Sequence, residues 1–240
     1  SDVCSSDLGT HALEIIAEYW RTELSLDNPR VFMPSFTYVA TANAFIRAGW
    51  EIYFIDTDAY GVMDDTKFPS SVEYDAVVLV GLYGSSITHS AHIRSWNSWV
   101  AKNTIVIEDA AQHWLANECQ RIGDAAAISF DPMKNLSCYG NGGAIVTDTL
   151  DLAEFARAWR DNGKPNHRYP GTNSRMSEID CATMMVKSRY IDRWQARRAQ
   201  ISDFWRERFG NNSKIRCLIT DKNAHNHAHH KFVIDVDNRD

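Results

Sequence analysis

Residues 123–148, GDAAAISFDPMKNLSCYGNGGAIVTD, constrain the fold of this chain more than any other stretch. Two apolar runs, 125–128 and 144–146, read as buried strands. The polar segment between them carries Pro132, a single lysine, Lys134, and the glycines Gly140, Gly142 and Gly143. Glycines supply tight turns and let backbone approach a ligand closely. A lysine on such a loop is readily desolvated, which suits imine formation with an aldehyde cofactor. Taken alone, the motif is unspecific, and a surface lysine is the more common case.

The rest of the chain alternates strand and helix. Residues 10–23 place Leu13, Ile16, Ala17 and Trp20 at helical spacing behind Gly9 and Thr10. A helix N-terminus there is either an anion site or an ordinary threonine cap. Residues 31–33 read as a short buried strand, 38–48 as a helix closed by Gly49, and 51–55 as the next strand. The run 76–80 is a strand leading into the loop GLYGSS, and Ile93, Trp96 and Val100 mark a helix. A strand over 104–107 carries Glu108 and Asp109 at its carboxyl end, where open α/β sheets bind ligands. An aspartate so placed is a ligand contact or a turn residue. Residues 151–162 form an amphipathic helix ended by Gly163 and Pro165. Residues 177–209 are helical in pattern, as two helices or one bent one. Their stripe of Ile179, Ala182, Met185, Val186 and Tyr190 suits a core or a subunit interface. Residues 211–224 are polar and loop-like, and 232–236 read as a strand. The fold class is α/β, a mostly parallel sheet sandwiched between helices.

Composition narrows the function classes. A formal net charge of −6 gives no support to nucleic-acid binding. No apolar run approaches the ~18 residues of a membrane span. The five cysteines (Cys4, Cys119, Cys138, Cys181 and Cys217) lack zinc or disulfide spacing, so a reducing cytoplasm is the economical inference. His225, His227, His229 and His230 have no acidic or cysteine companions at metal spacing. No metal is expected, and these histidines are read as solvated or substrate-contacting. There is no internal repeat and no GxGxxG fingerprint.

Four separated motifs in order then give a resemblance. SFDPMKNLSCYGNGGAIVTD, VIEDAAQHW, VFMPSFTYVATANAFIRAGWEIYFIDTD and GTNSRMSEIDCATMMVKSRYIDRW together resemble the sugar aminotransferases of the DegT/DnrJ/EryC1/StrS family. The likeness runs from Gly9 to Trp194 and weakly onward. It implies the fold-type-I large domain and pyridoxal 5'-phosphate as cofactor. Lys134 would form the imine and shuttle a proton. Asp109 would face the pyridine nitrogen, Gln112 the ring hydroxyl, and Tyr38 would stack on the ring. Thr10 and Ser129 would hold the phosphate. Asn173 resembles a residue that enters the neighbouring subunit's site, which implies a homodimer with shared sites. The implied substrates are an amino acid, glutamate by family habit, and a keto sugar carried on a nucleotide. Gly81 and Asp131 depart from the family, which commonly has histidine at both. Two other readings compete: a non-catalytic remnant keeping the fold, and a dehydratase relative, in which histidine usually replaces the lysine.

Both ends invite separate expectations. Residues 1–8, SDVCSSDL, match a sequencing adapter when back-translated, and read as a non-native leader without ordered packing. Residues 9–210 read as the cofactor-binding domain, and 211–240 as the opening of a truncated small domain.

Overall fold

The computed structural model describes residues 2–25, 27–87, 103–116, 122–220 and 223–236. One sheet contains seven strands: β1 (Asp2–Ser6), β2 (Arg30–Pro34), β3 (Glu51–Ile55), β4 (Ala76–Val80), β5 (Ile105–Asp109), β6 (Ala125–Ser129) and β7 (Gly143–Thr147). Their order is β1-β7-β6-β5-β4-β2-β3. The strands from β6 to β3 are parallel, and β7 runs antiparallel to both its neighbours.

Successive side chains of a strand point to opposite faces, and strands covered on both faces read as unbroken apolar runs. Both statements hold here. Val31, Met33, Ala76, Val78, Ile105 and Ile107 pack on the side of α1 (Gly9–Glu23) and α2 (Val39–Arg47). Their sequence neighbours Phe32, Val77, Leu79 and Val106 pack on the other side with Ile55, Met63 and Ile87. A third helix, α3 (Leu150–Trp159), adds Leu152, Phe155 and Ala156 to the first core. The helix read at Ile93, Trp96 and Val100 lies outside the described residues.

Residues 177–209 resolve into α4 (Glu178–Lys187), a single 3-10 turn, and α5 (Ile191–Phe209). Ser177 caps α4 by accepting from the Asp180 N–H, a typical N-cap bond. None of α4 is buried, and Ile179 is 74% exposed. Its apolar stripe is therefore not part of this chain's core.

Two expectations are corrected. Residues 2–6 do not lack packing: β1 pairs with β7 along its whole length, and Cys4 is buried. Arg160 donates to the Ser5 carbonyl at 2.6 Å, and the Asp7 N–H donates to the Ser174 carbonyl at 2.8 Å. A sheet edge pairs with backbone, whatever the side chains, so a polar segment can complete it. Residues 211–224 are not wholly loop either. They contain β8 (Ile215–Cys217), paired antiparallel with β9 (Ile234–Val236) in a separate two-stranded sheet. The strand expected over 232–236 starts two residues later. No helix among the described residues is long and apolar enough to cross a membrane.

Candidate active site

The parallel strands β4, β5 and β6 all end at one edge of the sheet, beside the start of α1. A cavity of about 390 Å³ opens there, within the usual range for small-molecule sites. Thr10, Tyr38, Asp109, Gln112, Ser129 and Lys134 all line it. Of the residues expected at the site, Asn173 alone lies elsewhere. It is exposed and forms a β-bridge with Asp161.

Asp109 is the last residue of β5, opposite Val80 on one side and Ala127 on the other. It is 7% exposed. Thr41 on α2 donates its hydroxyl to Oδ2 at 2.7 Å, and the Ala111 N–H donates to Oδ1 at 3.1 Å. A buried carboxylate needs such donors to remain charged. Thr41 is a site residue that the sequence reading missed. Its one signal is its position three residues after Tyr38, in the first turn of α2.

Lys134 sits on the loop between β6 and β7, which backbone bonds stitch into a fixed shape. Phe130 donates its N–H to the Gly142 carbonyl and accepts the Cys138 N–H at its own carbonyl. Asp131 turns the chain: its Oδ1 accepts the Met133 N–H at 2.9 Å, and its carbonyl accepts the Lys134 N–H at 2.8 Å. Burial holds the Lys134 ammonium below the ordinary lysine range, opposed by the carboxylates of Asp109 and Asp131 and reinforced by Lys231.

Gly9 allows the start of α1 to meet Ser129, since a Cβ at Gly9 would lie 2.7 Å from the Ser129 Cβ. Leu8 occupies the cap position with no side-chain bond to the helix end. The first amides of α1 and the Ser129 hydroxyl thus meet at one side of the cavity, an arrangement suited to an anion. On the opposite side Gln112 accepts the Tyr83 N–H at Oε1, at 2.7 Å, which leaves its amide N–H groups to donate. Tyr38 is well exposed at the cavity mouth, its ring face free for a flat ligand.

Gly81 also lines the cavity, and a Cβ there would collide with the ring of His113. His113 is fully buried and 3.7 Å from Glu108 Oε2. The space behind position 81 is therefore filled from the next strand's loop, which a single-position reading of Gly81 cannot show.

The histidines divide: His227 and His230 are buried rather than solvated, whereas His225 is exposed. Burial, aided by His229 and His230, pushes the His227 imidazole down to about 3. Burial, aided by Lys134, pushes His230 down to about 4. His230 and Lys231 line the cavity, and the segment docks by backbone bonds, Ala228 N–H to the Gly84 carbonyl and Lys231 N–H to the Tyr83 carbonyl. Among the described residues no three metal-ligating side chains converge.

The donor set fits pyridoxal phosphate: an amine of lowered basicity, a buried carboxylate, an exposed ring, and an anion cradle that a Cβ at Gly9 would fill. Comparison with known proteins agrees. The chain is 35% identical over 228 residues to a pleiotropic regulatory protein of Geobacillus stearothermophilus, a match spanning 88% of this chain and 59% of that one. It is 34% identical over 222 residues, with the same shares of 88% and 59%, to a dTDP-3-amino-3,6-dideoxy-α-D-galactopyranose transaminase of Aneurinibacillus thermoaerophilus. The crystal structure of DesV from S. venezuelae, in complex with a ketimine intermediate, superposes with a TM-score of 0.87 at 26% identity, covering 100% of this chain and 65% of that one. The chain thus spans about three fifths of the length of the curated relatives it matches. The sequence pattern of the DegT/DnrJ/EryC1/StrS aminotransferase family matches residues 3–240, and the chain belongs to that family.

Proposed function

We propose that this chain carries the cofactor site of a pyridoxal-phosphate-dependent aminotransferase that moves an amino group from an amino acid, glutamate, to a nucleotide-linked keto sugar. The observation that carries the reading is Lys134, an amine of lowered basicity in the same cavity as the buried, doubly hydrogen-bonded Asp109. When bound, pyridoxal phosphate supplies an electron sink that acidifies the amino acid's α-carbon. Lys134 Nζ would hold its aldehyde and, when free, would carry the proton from the amino acid's α-carbon to the cofactor's C4′ carbon. Asp109 keeps a ring nitrogen protonated. Gln112 donates to the ring oxygen, Tyr38 covers one face, and Thr10 and Ser129 hold the phosphate with the first amides of α1.

The acceptor class is drawn from relatives such as the Aneurinibacillus transaminase. Residues 9–210 are assigned to the cofactor-binding domain, completed by β1, and 211–240 to the opening of a second domain, supported by the separate β8–β9 sheet. A homodimer is proposed, with Asn173 reaching a partner's site. The exposure of Asn173 and of the α4 stripe supports it. A cytoplasmic location follows from the substrates proposed. The presence of Lys134 weighs against a dehydratase, and a remnant has no evident need for a buried Asp109.

Borohydride reduction of the cofactor-loaded chain tests the reading. Label is expected on Lys134 and nowhere else; label on another lysine overturns the assignment.

A further inference from the structure

The loop that carries Lys134 is held from outside by one helix. α4 has no buried residue, yet Asp180, Thr183, Met184 and Lys187 are half-buried at helical spacing and so share one face. Two of them bind residues 137–140, just beyond Lys134. Lys187 Nζ donates to the Ser137 carbonyl at 2.7 Å and to its hydroxyl at 3.1 Å, and lies 5.6 Å from the centre of the Tyr139 ring. Asp180 Oδ1 accepts the Tyr139 and Gly140 N–H groups, at 3.0 and 2.9 Å. Its other oxygen accepts the Ser177 hydroxyl at 2.7 Å. The Gly140 N–H, the Ser177 hydroxyl and the Tyr139 N–H hold the Asp180 carboxyl below the ordinary range, with Lys187 assisting. Hydrogen bonds to charged groups are the stronger kind, and here they grip both ends of one short segment.

Backbone bonds from Phe130 tie the loop at Cys138 and at Gly142, and the helix fixes the chain on either side of Cys138. A lysine stem is long and flexible, so the place of its backbone decides whether the amine stays in the cavity. The charges that act on Lys134 are Asp109 on β5, Asp131 in its own loop and Lys231 in the wall, where His230 also faces it. Asp180 and Lys187 are not among them.

We propose that Asp180 and Lys187 are positioning residues for Lys134: by clasping residues 137–140 from α4 they keep its Nζ inside the cavity. They act through the backbone of the loop and not by their charge on the amine. The outer side of the same helix shows Ile179, Met185 and Val186 to solvent, so one helix joins that open apolar face to the amine. The inference rests on the reading of Lys134 as the lysine that holds the cofactor.

Carbon-13 NMR of the cofactor-free 240-residue chain, labelled at lysine Cε, titrates Lys134 directly, its signal assigned by its loss in Lys134→Arg. Asp180→Ala and Lys187→Met should both retain the fold by circular dichroism and let the amine into solvent. Lys134 should then bind its proton about tenfold more tightly in each, its pKa rising toward the ordinary 10.5. A direct charge effect would differ in sign, because removing an anion lowers a lysine pKa and removing a cation raises it. Asp180→Asn keeps an acceptor for both N–H groups and should leave Lys134 at its parent value, although the charge is gone. Ile107→Ala, a core variant, should lose stability without moving Lys134. Shifts of opposite sign overturn the proposal. So does an unmoved Lys134 or a lost fold in either of the first two variants, or an equal rise in Asp180→Asn or Ile107→Ala. Failure of the underlying reading shows separately, as the absence of borohydride-fixed cofactor on Lys134 of the parent chain.

Discussion

The floor of the cavity and its far wall are both buried, but by different physics. The floor is made where β4, β5 and β6 end, and its burial comes from apolar side chains alternating into two cores. The wall, residues 227–231, is mostly histidine, and its burial is offset by hydrogen bonds. His229 donates its N–H to His227 Nδ1 at 2.9 Å, His230 to Asn135, and the backbone to the loop at Tyr83 and Gly84. Tyr83 and Gly84 adopt positive φ, and a Cβ at Gly84 would press on His227 and His230, so glycine there lets the wall dock. A floor of this kind tolerates a charged residue only where donors are fixed, as at Asp109. The wall is mostly polar and depends on keeping its histidines neutral.

The largest effects should come from the floor. Lys134→Ala should abolish borohydride-fixed cofactor labelling and amino transfer altogether, as read by mass spectrometry of the reduced protein. Asp109→Ala should retain the fold by circular dichroism and lower amino transfer on the order of a thousandfold, since ring protonation is lost with the lysine in place. A variant within tenfold of the parent would reduce Asp109 to a turn residue, and the floor would differ from the wall only in polarity.

The two regions also differ in how far they can be read from sequence. Every strand of the floor is visible as an apolar run, because burial on both faces leaves no polar alternation to confuse it. Lys134, Asp109, Gln112, Thr10, Tyr38 and Ser129 come together because all follow strand ends or helix starts at one sheet edge. What was hidden depends on pairings distant along the chain. His230 meets Asn135, Thr41 meets Asp109, and His113 fills the space beside Gly81. Buried polar residues satisfied by remote partners have the same composition as a solvated loop, so sequence alone does not separate a buried His227 or His230 from a solvated one. Residues 2–6 escape a sequence reading for a related reason, since an edge strand is recruited through backbone bonds. The α4 stripe illustrates the converse: a helical pattern marks an apolar face, but not whether its cover lies within the chain.

Stability should separate the regions next. Ile107→Ala removes a fully enclosed side chain from the centre of the sheet and should cost about 2–5 kcal/mol in urea unfolding. Ile179→Ala, on the exposed α4 face, should change the stability of the isolated chain by less than about 0.5 kcal/mol. A comparable loss at both positions would mean that the α4 stripe has a cover within this chain.

A pH dependence belongs to the wall, with an effect below that of Ile107→Ala. Burial is the main reason that the His227 imidazole titrates at about 3, with His229 and His230 adding to it, against 6.5 for the free side chain. Between those values the unfolded chain binds a proton that the native chain refuses. Native stability is therefore complete above pH 6.5 and is lost progressively as pH falls toward 3. At about pH 5 this one residue should have removed about 2 kcal/mol, at roughly 1.4 kcal/mol per pH unit. His229 and His230, also held low mainly by burial, steepen the fall in the parent chain. His227→Leu loses the acceptor for the His229 N–H and should be less stable near pH 7.5 by about 1 kcal/mol. Its decline between about pH 7.5 and 5 should nevertheless be shallower by about 2 kcal/mol, because the residue that refuses the proton is gone. Urea unfolding of both chains across this range measures the two slopes. Parallel slopes would mean that His227 accepts its proton in the native state, so that the wall, like the floor at Asp109, carries a stabilised charge.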